Sequence, residues 1–338
     1  MSSKWSPAQL NDVTRRLMAG EGPTSIARAT GLRRESIRQY GKRLSASENA
    51  RTPVQQFQPL SAPSVEKPRI RVPYRTVAAD QKTSAKWQSD EALRVCVIGD
   101  LHVSPGQDLS RIKWIARHIK ETKPDHIVQI GDWASFDSVS AHDPIGSVKA
   151  KHRPSLRQDI ECLEDSLALF DRELGPSTIP RIVTLGNHEH RVARYEELRA
   201  ELEGSVWDEV LQAFARFRWK THDFGKVVFI GGVGFVHVPL NRIGKPHSSP
   251  NIMANNLAHD LIKGHSHVAT YLTIPKIGED RGVTLIDVGT SLPYGHVESY
   301  AKLSQTGWYW GVHDVIIRNG RIDDFARISM KSLEQRYG

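Results

Sequence analysis

Four short stretches of the sequence share one pattern: an apolar run ends at a glycine, and polar side chains follow at once. They read Gly99-Asp100-Leu101-His102, Gly131-Asp132-Trp133, Gly186-Asn187-His188-Glu189 and Gly264-His265-Ser266-His267, and Val236-His237-Val238 adds a further histidine. Carboxylate oxygens and imidazole nitrogens are ligands of divalent ions such as Mn, Fe and Zn. One carboxylate can bridge two such ions about 3.5–4 Å apart, and the pair lowers the pKa of a shared water and holds a phosphate in line with it. The residue types therefore predict a two-metal site for phosphate ester chemistry.

Each pattern carries little weight alone. A single Gly-Asp-x-His is usually structural, and His237 by itself would more often be a core or surface histidine. Gly-Asn-His-Glu and Gly-His-x-His are moderately specific. All four patterns in this order, each after an apolar run, disfavour a purely structural explanation.

The side chains can meet only if the apolar runs are strands whose ends share one edge of a sheet. A glycine at each turn is expected to let the backbone bend sharply there. The strands predicted from β-branched runs are Arg94–Ile98, His126–Ile130, Arg181–Leu185, Val227–Ile230, Gly234–Val238, Asp260–Lys263, Val283–Val288 and Asp314–Ile317. Helices are predicted at Ser110–Glu121 and Leu156–Leu174. Strand–helix alternation followed by hairpins indicates an α/β fold with mixed sheets.

Composition narrows the class of protein. The 338 residues are 39% apolar and contain two cysteines, Cys96 and Cys162. Two cysteines do not make a disulfide framework, which favours a reduced cytoplasmic setting. No run of about 18 apolar residues is present, and the first ten residues carry no secretory signal, so no membrane association is expected.

The excess of positive over negative charge lies entirely in the first quarter of the chain. Residues 1–90 hold 16 Lys and Arg against 7 Asp and Glu, whereas residues 91–338 hold 30 against 31. We predict a helical module over residues 1–46, a flexible basic linker over 47–90 and a catalytic domain over 91–338. A localised basic segment favours a polyanionic partner such as nucleic acid, and Arg69, Arg71 and Arg75 of the linker could contribute. Simple solvation is the alternative.

The series of patterns resembles the calcineurin-like metallophosphoesterase superfamily over about residues 92–290. The resemblance implies a four-layer α/β/β/α sandwich with two mixed sheets. It also implies ligand roles, with Asp132 bridging two divalent ions: Asp100, His102 and His267 would hold the first, and Asn187, His237 and His265 the second. Manganese is the first expectation for the metals, with Fe, Zn, Mg or Ni as alternatives. His188 would not be a ligand but would donate a proton to the leaving oxygen or stabilise phosphoryl charge.

The block around Asp132 departs from the superfamily's protein phosphatases, because no acidic residue and no Arg-Gly follow it. This disfavours a Ser/Thr protein phosphatase. It also leaves open which group orients His188, for which Asp100 and Asp137 are both possible. Arg191 could contact a phosphate oxygen through its guanidinium fork or could be a solvated surface arginine.

Two segments are candidates for nucleic-acid contact. The loop from Phe136 to Arg157 carries Lys149, Lys151, His152 and Arg153, which could hold a phosphate backbone or be solvated. Residues 23–42 resemble a helix-turn-helix, with Ala27 and Gly31 at the helix contact and the turn. The exposed face of its second helix would be Arg33, Arg34, Glu35, Ser36, Arg38 and Gln39. A small helical module for protein contacts is the alternative.

Three functions remain open from the sequence. The first is a DNA-directed phosphodiesterase or nuclease tethered by its N-terminal module, an arrangement that resembles phage- or prophage-encoded phosphoesterases. The second is a phosphomonoesterase acting on proteins or small molecules, which would use the same site. The third is a DNA-binding adaptor with an inactive enzyme fold, against which the complete ligand set argues.

Overall fold

The computed structural model describes residues 5–48, 92–141, 146–241, 243–247, 249–277, 282–297 and 307–338. Within these ranges the side chains of Pro7, Lys149 and residues 42–48 also lie outside the description. The predicted linker over 47–90 falls outside the described residues except for residues 47 and 48, and so do Arg69, Arg71 and Arg75. The chain divides into two compact units, Met1–Arg75 and Thr76–Gly338.

The N-terminal unit consists of α1 (Pro7–Met18), α2 (Pro23–Thr30) and α3 (Arg34–Glu48). Val13, Ile26 and Ile37 bring one fully buried side chain from each helix into a small core. Gly31 ends α2 in the left-handed conformation at φ 71°, a position that suits glycine because it has no Cβ. The three helices therefore pack around a minimal apolar centre.

The first two helices begin in different ways. Ser6 caps α1 and forms a reciprocal capping box with Gln9, as its place before a proline predicts. The N-cap of α2 is Gly22, which has no side chain to accept a hydrogen bond. Pro23 occupies the first helical position, where its fixed φ suits the helix and its missing N–H needs no partner.

The larger unit alternates strands and helices before ending in two antiparallel strands. Its helices are α4 (Ser110–Thr122), α5 (Val148–Lys151), α6 (Leu156–Leu174), α7 (Asn187–Glu197), α8 (Val206–Arg216), α9 (Pro250–Asn256) and α10 (Met330–Tyr337). Its strands are β1 (Leu93–Ile98), β2 (His126–Gln129), β3 (Arg181–Thr184), β4 (Trp219–His222), β5 (Val228–Ile230), β6 (Val233–Val236), β7 (Leu261–Lys263), β8 (Ala269–Ile274), β9 (Val283–Val288), β10 (Gly311–Arg318) and β11 (Arg321–Ser329). The eight predicted strands are present with small shifts in their bounds, whereas β4, β8 and β11 were not predicted.

The strands form two mixed sheets. One has the order β11-β10-β1-β2-β3-β4 and the other β5-β6-β7-β9-β8. Strands β1 to β4 are parallel to one another, and so are β6, β7 and β9. The outer pairings in which β10, β11, β5 and β8 take part are antiparallel. The predicted α/β class with two mixed sheets is confirmed.

Alternation along β1 shows how the layers are stacked. Val95 and Val97 pack into a core that both sheets share, whereas Cys96 and Ile98 face a second core with α4, α6 and α8. On the far side of the five-stranded sheet, α9 packs Met253 against the sheet. The order of layers is thus helix, sheet, sheet, helix, as the resemblance implied. No helix within the described ranges is long and apolar enough to cross a bilayer.

Candidate metal centre

The carboxyl ends of five parallel strands carry the predicted ligands. Asp100 and His102 follow β1, Asp132 follows β2, Asn187 follows β3, His237 follows β6, and His265 and His267 follow β7. Parallel strands end at the same edge of a sheet, so each sheet presents its own ligands along one edge. A bridge between Asp100 and Thr290, which follows β9, joins the two edges. The fold therefore brings all seven side chains to one place.

The first group of ligand atoms comes from Asp100, His102 and His267, all of them buried. The Nε2 atoms of the two histidines lie 3.0 Å apart, and His267 Nε2 lies 3.1 Å from Asp100 Oδ2. Facing imidazole nitrogens can share at most one proton, so a cation between them would satisfy both lone pairs. This arrangement fits a divalent ion.

The second group comes from Asp132, His237 and His265, with Asn187 beside them. His237 Nε2 lies 3.2 Å from Asp132 Oδ2 and 2.9 Å from Asn187 Oδ1. The opposite nitrogen, Nδ1, lies 3.0 Å from the carbonyl oxygen of Ile130, a contact that fixes the ring and leaves Nε2 facing the site. Although burial alone would lower it, the carboxylates of Asp132 and Asp100 raise the pKa of His237 to about 9. The electrostatic field of these carboxylates therefore favours a positive charge at His237, as a bound cation would supply.

Asp132 connects the two groups. Its Oδ2 lies 3.8 Å from His102 Nε2 on one side and 3.2 Å from His237 Nε2 on the other. A single carboxylate oxygen that faces two sets of nitrogen donors has the placement of a bridging ligand. The donor set contains oxygen and nitrogen but no sulfur, which suits hard and borderline divalent ions.

The backbone at this site is held in an uncommon conformation. Four of the predicted ligands have positive φ although they are not glycine: His102 at 45°, Asp132 at 54°, His265 at 76° and His267 at 61°. Each such residue costs on the order of 1–3 kcal/mol and persists only where its surroundings determine it. No pattern in the sequence indicates this strain, which is concentrated where side chains must be aimed at a common centre.

Of the four pattern glycines, only Gly131 has a positive φ, at 100°. At Gly99, Gly186 and Gly264 the left-handed conformation that glycine permits is therefore not used. These three are needed for close approach instead. A Cβ on Gly186 would lie 2.0 Å from Asp132 Oδ1, and one on Gly264 would lie 2.5 Å from Asp100 Oδ1.

His188 lies next to both groups in the first turn of α7. Its Nδ1 is 2.8 Å from the carbonyl oxygen of Ser135, and Arg191 Nη2 is 3.0 Å from its Nε2. The main-chain oxygen of Ser135, rather than Asp100 or Asp137, is thus the group seen at Nδ1. Burial lowers the pKa of His188 and Arg191 lowers it further, against the opposing effect of Asp132. Arg191 is half-buried and also contacts Ser135, so it is not a solvated surface arginine.

Glu189 is a residue of the site for which the sequence patterns predict no role. It is fully buried, and its carboxylate accepts hydrogen bonds from the backbone N–H groups of Asp132, Ala134 and Gly186. It thereby ties the Asp132 loop to the start of α7. Burial and the neighbouring Asp132 carboxylate raise the pKa of Glu189. The only signal in the sequence was an acidic residue in the same block as Asn187 and His188.

We expect Glu189→Ala to weaken metal binding about 10- to 100-fold, because groups that orient a ligand have effects of this size. It leaves three buried N–H donors without their acceptor, so the free energy of unfolding should also fall by several kcal/mol. Isothermal titration of the metal-free protein with Mn²⁺ and thermal unfolding measure the two effects. Glu197→Ala, at the end of the same helix, is the control. Unchanged Mn²⁺ affinity in a folded Glu189→Ala protein would contradict the positioning role.

Comparison with known proteins agrees with this geometry. The sequence profile of the family described as calcineurin-like phosphoesterase matches residues 93–314. The chain belongs to this family. It is accordingly a metal-dependent phosphoester hydrolase. A search of curated proteins found no match.

Two solved structures illustrate the similarity of this phosphoesterase to known chains. Yfce, a phosphoesterase from E. coli, is 12% identical, with a TM-score of 0.32; the match covers 70% of this chain and 100% of that one. TT1561 of Thermus thermophilus is 8% identical, with a TM-score of 0.30; the match covers 71% of this chain and 100% of that one.

The block after Asp132 is part of the phosphoesterase's core. Trp133 is fully buried, lies 5.0 Å from Trp219 and 6.0 Å from Phe170 between ring centroids, and donates from Nε1 to Ser166 Oγ. Trp133 therefore belongs to the core that also contains Phe170 and Phe214.

Most of the predicted nucleic-acid residues whose side chains the structure describes are exposed. In the N-terminal unit Arg33, Arg34, Glu35, Arg38 and Gln39 are exposed and Ser36 is half-buried, and Arg38 lies 3.5 Å from Glu35. In the basic loop of the phosphoesterase, Lys151 and His152 are exposed and Arg153 is half-buried, whereas the side chain of Lys149 lies outside the description. Arg157 pairs with Glu161 and Glu209. Part of the loop's charge is thus already neutralised.

Proposed function

We propose that this protein is a phosphodiesterase, most specifically a nuclease acting on DNA. It would use two divalent ions, with Mn²⁺ the first to test, and would be held on DNA by a helix-turn-helix formed by its N-terminal helices. We further propose that it works in the cytoplasm of a bacterium or of a phage-infected host. The observation that carries the proposal is the exposed cationic face of α3 on a chain that also contains a metallophosphoesterase centre.

The chemistry rests on residues whose positions are fixed. When bound, two divalent ions lower the pKa of a water molecule and neutralise charge on the phosphate. Asp132 faces both ligand groups, and Glu189 holds its loop in place. His188, fixed through Nδ1 by Ser135, keeps Nε2 toward Asp132. Nε2 accepts from Arg191, so His188 would deliver a proton to the leaving oxygen from its protonated form, with Arg191 turned away. Arg191 can turn its guanidinium from His188 to a phosphate oxygen once substrate is present.

The role of His188 predicts a dependence on the leaving group. His188→Ala should slow hydrolysis of a diester with an alkyl leaving group about 10²- to 10⁴-fold, because that oxygen needs a proton. Hydrolysis of bis-p-nitrophenyl phosphate should fall much less, because p-nitrophenolate leaves without one. The measurement is kcat/KM for a series of diesters of increasing leaving-group pKa.

A suitable control is His190→Ala, which removes a histidine of the same helix whose ring stacks on Phe224. It should leave the series unchanged. An equal loss across all leaving groups in His188→Ala would assign His188 to charge stabilisation rather than to proton donation.

The N-terminal unit supports DNA as the substrate. Gly31 provides a tight turn between α2 and α3, and the fully buried Ile26 and Ile37 pin the two helices together. Arg34 and Arg38 stand one helical turn apart on the exposed side of α3, where arginine can reach phosphates and guanine edges. The local excess of positive charge, 16 basic against 7 acidic residues over residues 1–90, suits the same partner.

The test compares two double variants that lose the same charge from the same unit. Arg34→Gln/Arg38→Gln should raise KM for DNA cleavage about tenfold or more and flatten its salt dependence by a slope of about 2, since two phosphate contacts are lost. Arg15→Gln/Arg28→Gln removes two arginines from α1 and α2 and should have a much smaller effect. Neither should change hydrolysis of bis-p-nitrophenyl phosphate. Equal effects of the two variants would show that α3 does not contact DNA. If wild type hydrolyses p-nitrophenyl phosphate but no diester, the protein is a phosphomonoesterase and the nuclease proposal is wrong.

A further inference from the structure

Three aromatic side chains extend from the candidate metal centre toward solvent. The Trp308 ring lies 4.5 Å from the His267 ring, Trp310 lies 6.2 Å from Trp308, and Tyr294 lies 5.6 Å from Trp310, all between centroids. Exposure increases along the series: the tryptophans are half-buried and Tyr294 is 59% exposed. We call Trp308, Trp310 and Tyr294 the aromatic track.

The backbone holds the two tryptophans on one side of an extended segment. Successive side chains of such a segment point to opposite faces, so Trp308 and Trp310 share a face and Tyr309 takes the other. Tyr309 packs against His313 and under the guanidinium of Arg327, away from the metal centre. The alternation therefore directs both tryptophans to the side of His267.

Hydrogen bonds fix this segment to the loops that carry the site. Tyr309 N donates to the carbonyl oxygen of His267 at 3.1 Å, and Thr290 N donates to the carbonyl oxygen of Tyr309 at 2.8 Å. Trp310 Nε1 donates to the carbonyl oxygen of His296 at 2.8 Å, which joins its ring to the loop that bears Tyr294. Hydrogen bonds thus tie the segment that carries both tryptophans to the loops of the metal centre.

The rings of the track do not cover one another's faces. Trp308 and Trp310 meet at an interplanar angle of 52°, and Tyr294 and Trp310 at 61°. One alternative role for these rings is to exclude water from the ligand His267. That role would explain Trp308, which lies next to His267, but not the exposed Tyr294. The exposed Tyr294 ring, at the solvent end of the half-buried tryptophans, is suited to stacking with a nucleobase.

We propose that the aromatic track binds the unpaired bases next to the scissile phosphodiester of single-stranded DNA. This rests on the proposed nuclease function and names the form of the DNA that is cleaved, whereas the helix-turn-helix would hold duplex DNA. In a duplex the base faces are covered by their neighbours, so the track selects unpaired nucleotides. Stacking acts mainly on binding, so it lowers KM rather than raising kcat.

The test pairs a protein variant with the removal of one base. The substrates are short oligothymidylates with a single cleavable phosphodiester, either complete or lacking one base at a defined distance from that linkage. For the full-length Mn²⁺-loaded wild type, we expect loss of one particular base to raise KM between about fivefold and a hundredfold. Tyr294→Ala should be insensitive to the loss of that base, and its kcat should stay near the wild-type value.

Tyr271→Ala is the matched control, because Tyr271 is also 59% exposed but stacks on Phe325 outside the track. It should keep the full wild-type sensitivity to base removal. A readout independent of turnover is the fluorescence anisotropy of the same oligothymidylates, labelled with fluorescein, on the chelator-treated full chain. Its Kd should show the same pattern across the three proteins.

The outcomes separate the track from the proposed function. If wild type cleaves the oligothymidylates but Tyr294→Ala keeps the same sensitivity to base removal, the track is overturned and the nuclease stands. If wild type hydrolyses p-nitrophenyl phosphate but cleaves no oligonucleotide, the nuclease proposal fails and the track fails with it.

Discussion

Asp132→Asn is expected to reduce hydrolysis of every phosphoester substrate by on the order of a thousandfold or more. The Oδ2 atom of Asp132 faces His102 on one side and His237 on the other, so its charge serves both ligand groups. Asparagine preserves the shape of the side chain and can still accept, through Oδ1, the hydrogen bond from His188 N. The loss would therefore come from charge and bridging rather than from misfolding.

The metal content of the purified variant should fall together with its activity. Wild type loaded with Mn²⁺ should hold about two ions per chain, and Asp132→Asn one or fewer, measured by elemental analysis after gel filtration. Asp137→Asn is the control, since it removes a half-buried carboxylate from the same loop but from neither ligand group. Two tightly held ions and near-normal kcat in Asp132→Asn would show that the two groups do not share this carboxylate.

The strands that escaped prediction have a common position. Strands β4, β8 and β11 lie at three of the four sheet edges, where at least one face of the strand is solvated. Along β8 and β11 no residue is buried, whereas every residue of β9 is. Apolar runs therefore identified the central strands and the edge strand β5. Strands β8 and β11 were missed because their residues are partly or fully exposed, and β4 because it has a single buried residue, Trp219.

Some features of the site could likewise be predicted from the sequence, and others could not. Ligand side chains are distinctive, so their types after strand ends can be recognised from the sequence alone. The partner of His188 is the main-chain carbonyl of Ser135. Because every residue has such a carbonyl, no pattern of side chains predicts this contact. Trp308 meets His267 only because the chain returns to the site after β9, a contact between residues 41 positions apart.

The glycines of the sequence patterns have a different structural role from the one expected. The glycines before Asp100, Asn187 and His265 were expected to allow turns, yet their φ values are ordinary. What they supply is the absence of a side chain where two loops press together. A sequence records only that glycine is present and not which of its two properties is used.

Gly186→Ala isolates this property and should have a large effect on catalysis. The added Cβ would lie 2.0 Å from Asp132 Oδ1 and 2.4 Å from Asp132 N, so the Asp132 loop must move. A displacement of about 1 Å at a reacting centre can cost on the order of a hundredfold in rate, and overpacking should lower the free energy of unfolding by about 1–3 kcal/mol. Both kcat/KM for bis-p-nitrophenyl phosphate and the thermal unfolding midpoint should therefore fall.

Gly204→Ala distinguishes a lesion in the site from a general loss of stability. Gly204 has φ 71°, but an added Cβ there would meet only Asp208 Oδ2 at 4.0 Å. Alanine at that φ should cost roughly 1–2 kcal/mol of stability through backbone strain while leaving kcat/KM unchanged. If Gly186→Ala and Gly204→Ala lose similar stability and only the former loses activity, close packing behind Asp132 is what sets its position. If Gly186→Ala keeps the wild-type kcat/KM, the loop can relax without displacing the carboxylate, and the glycine is dispensable for the chemistry.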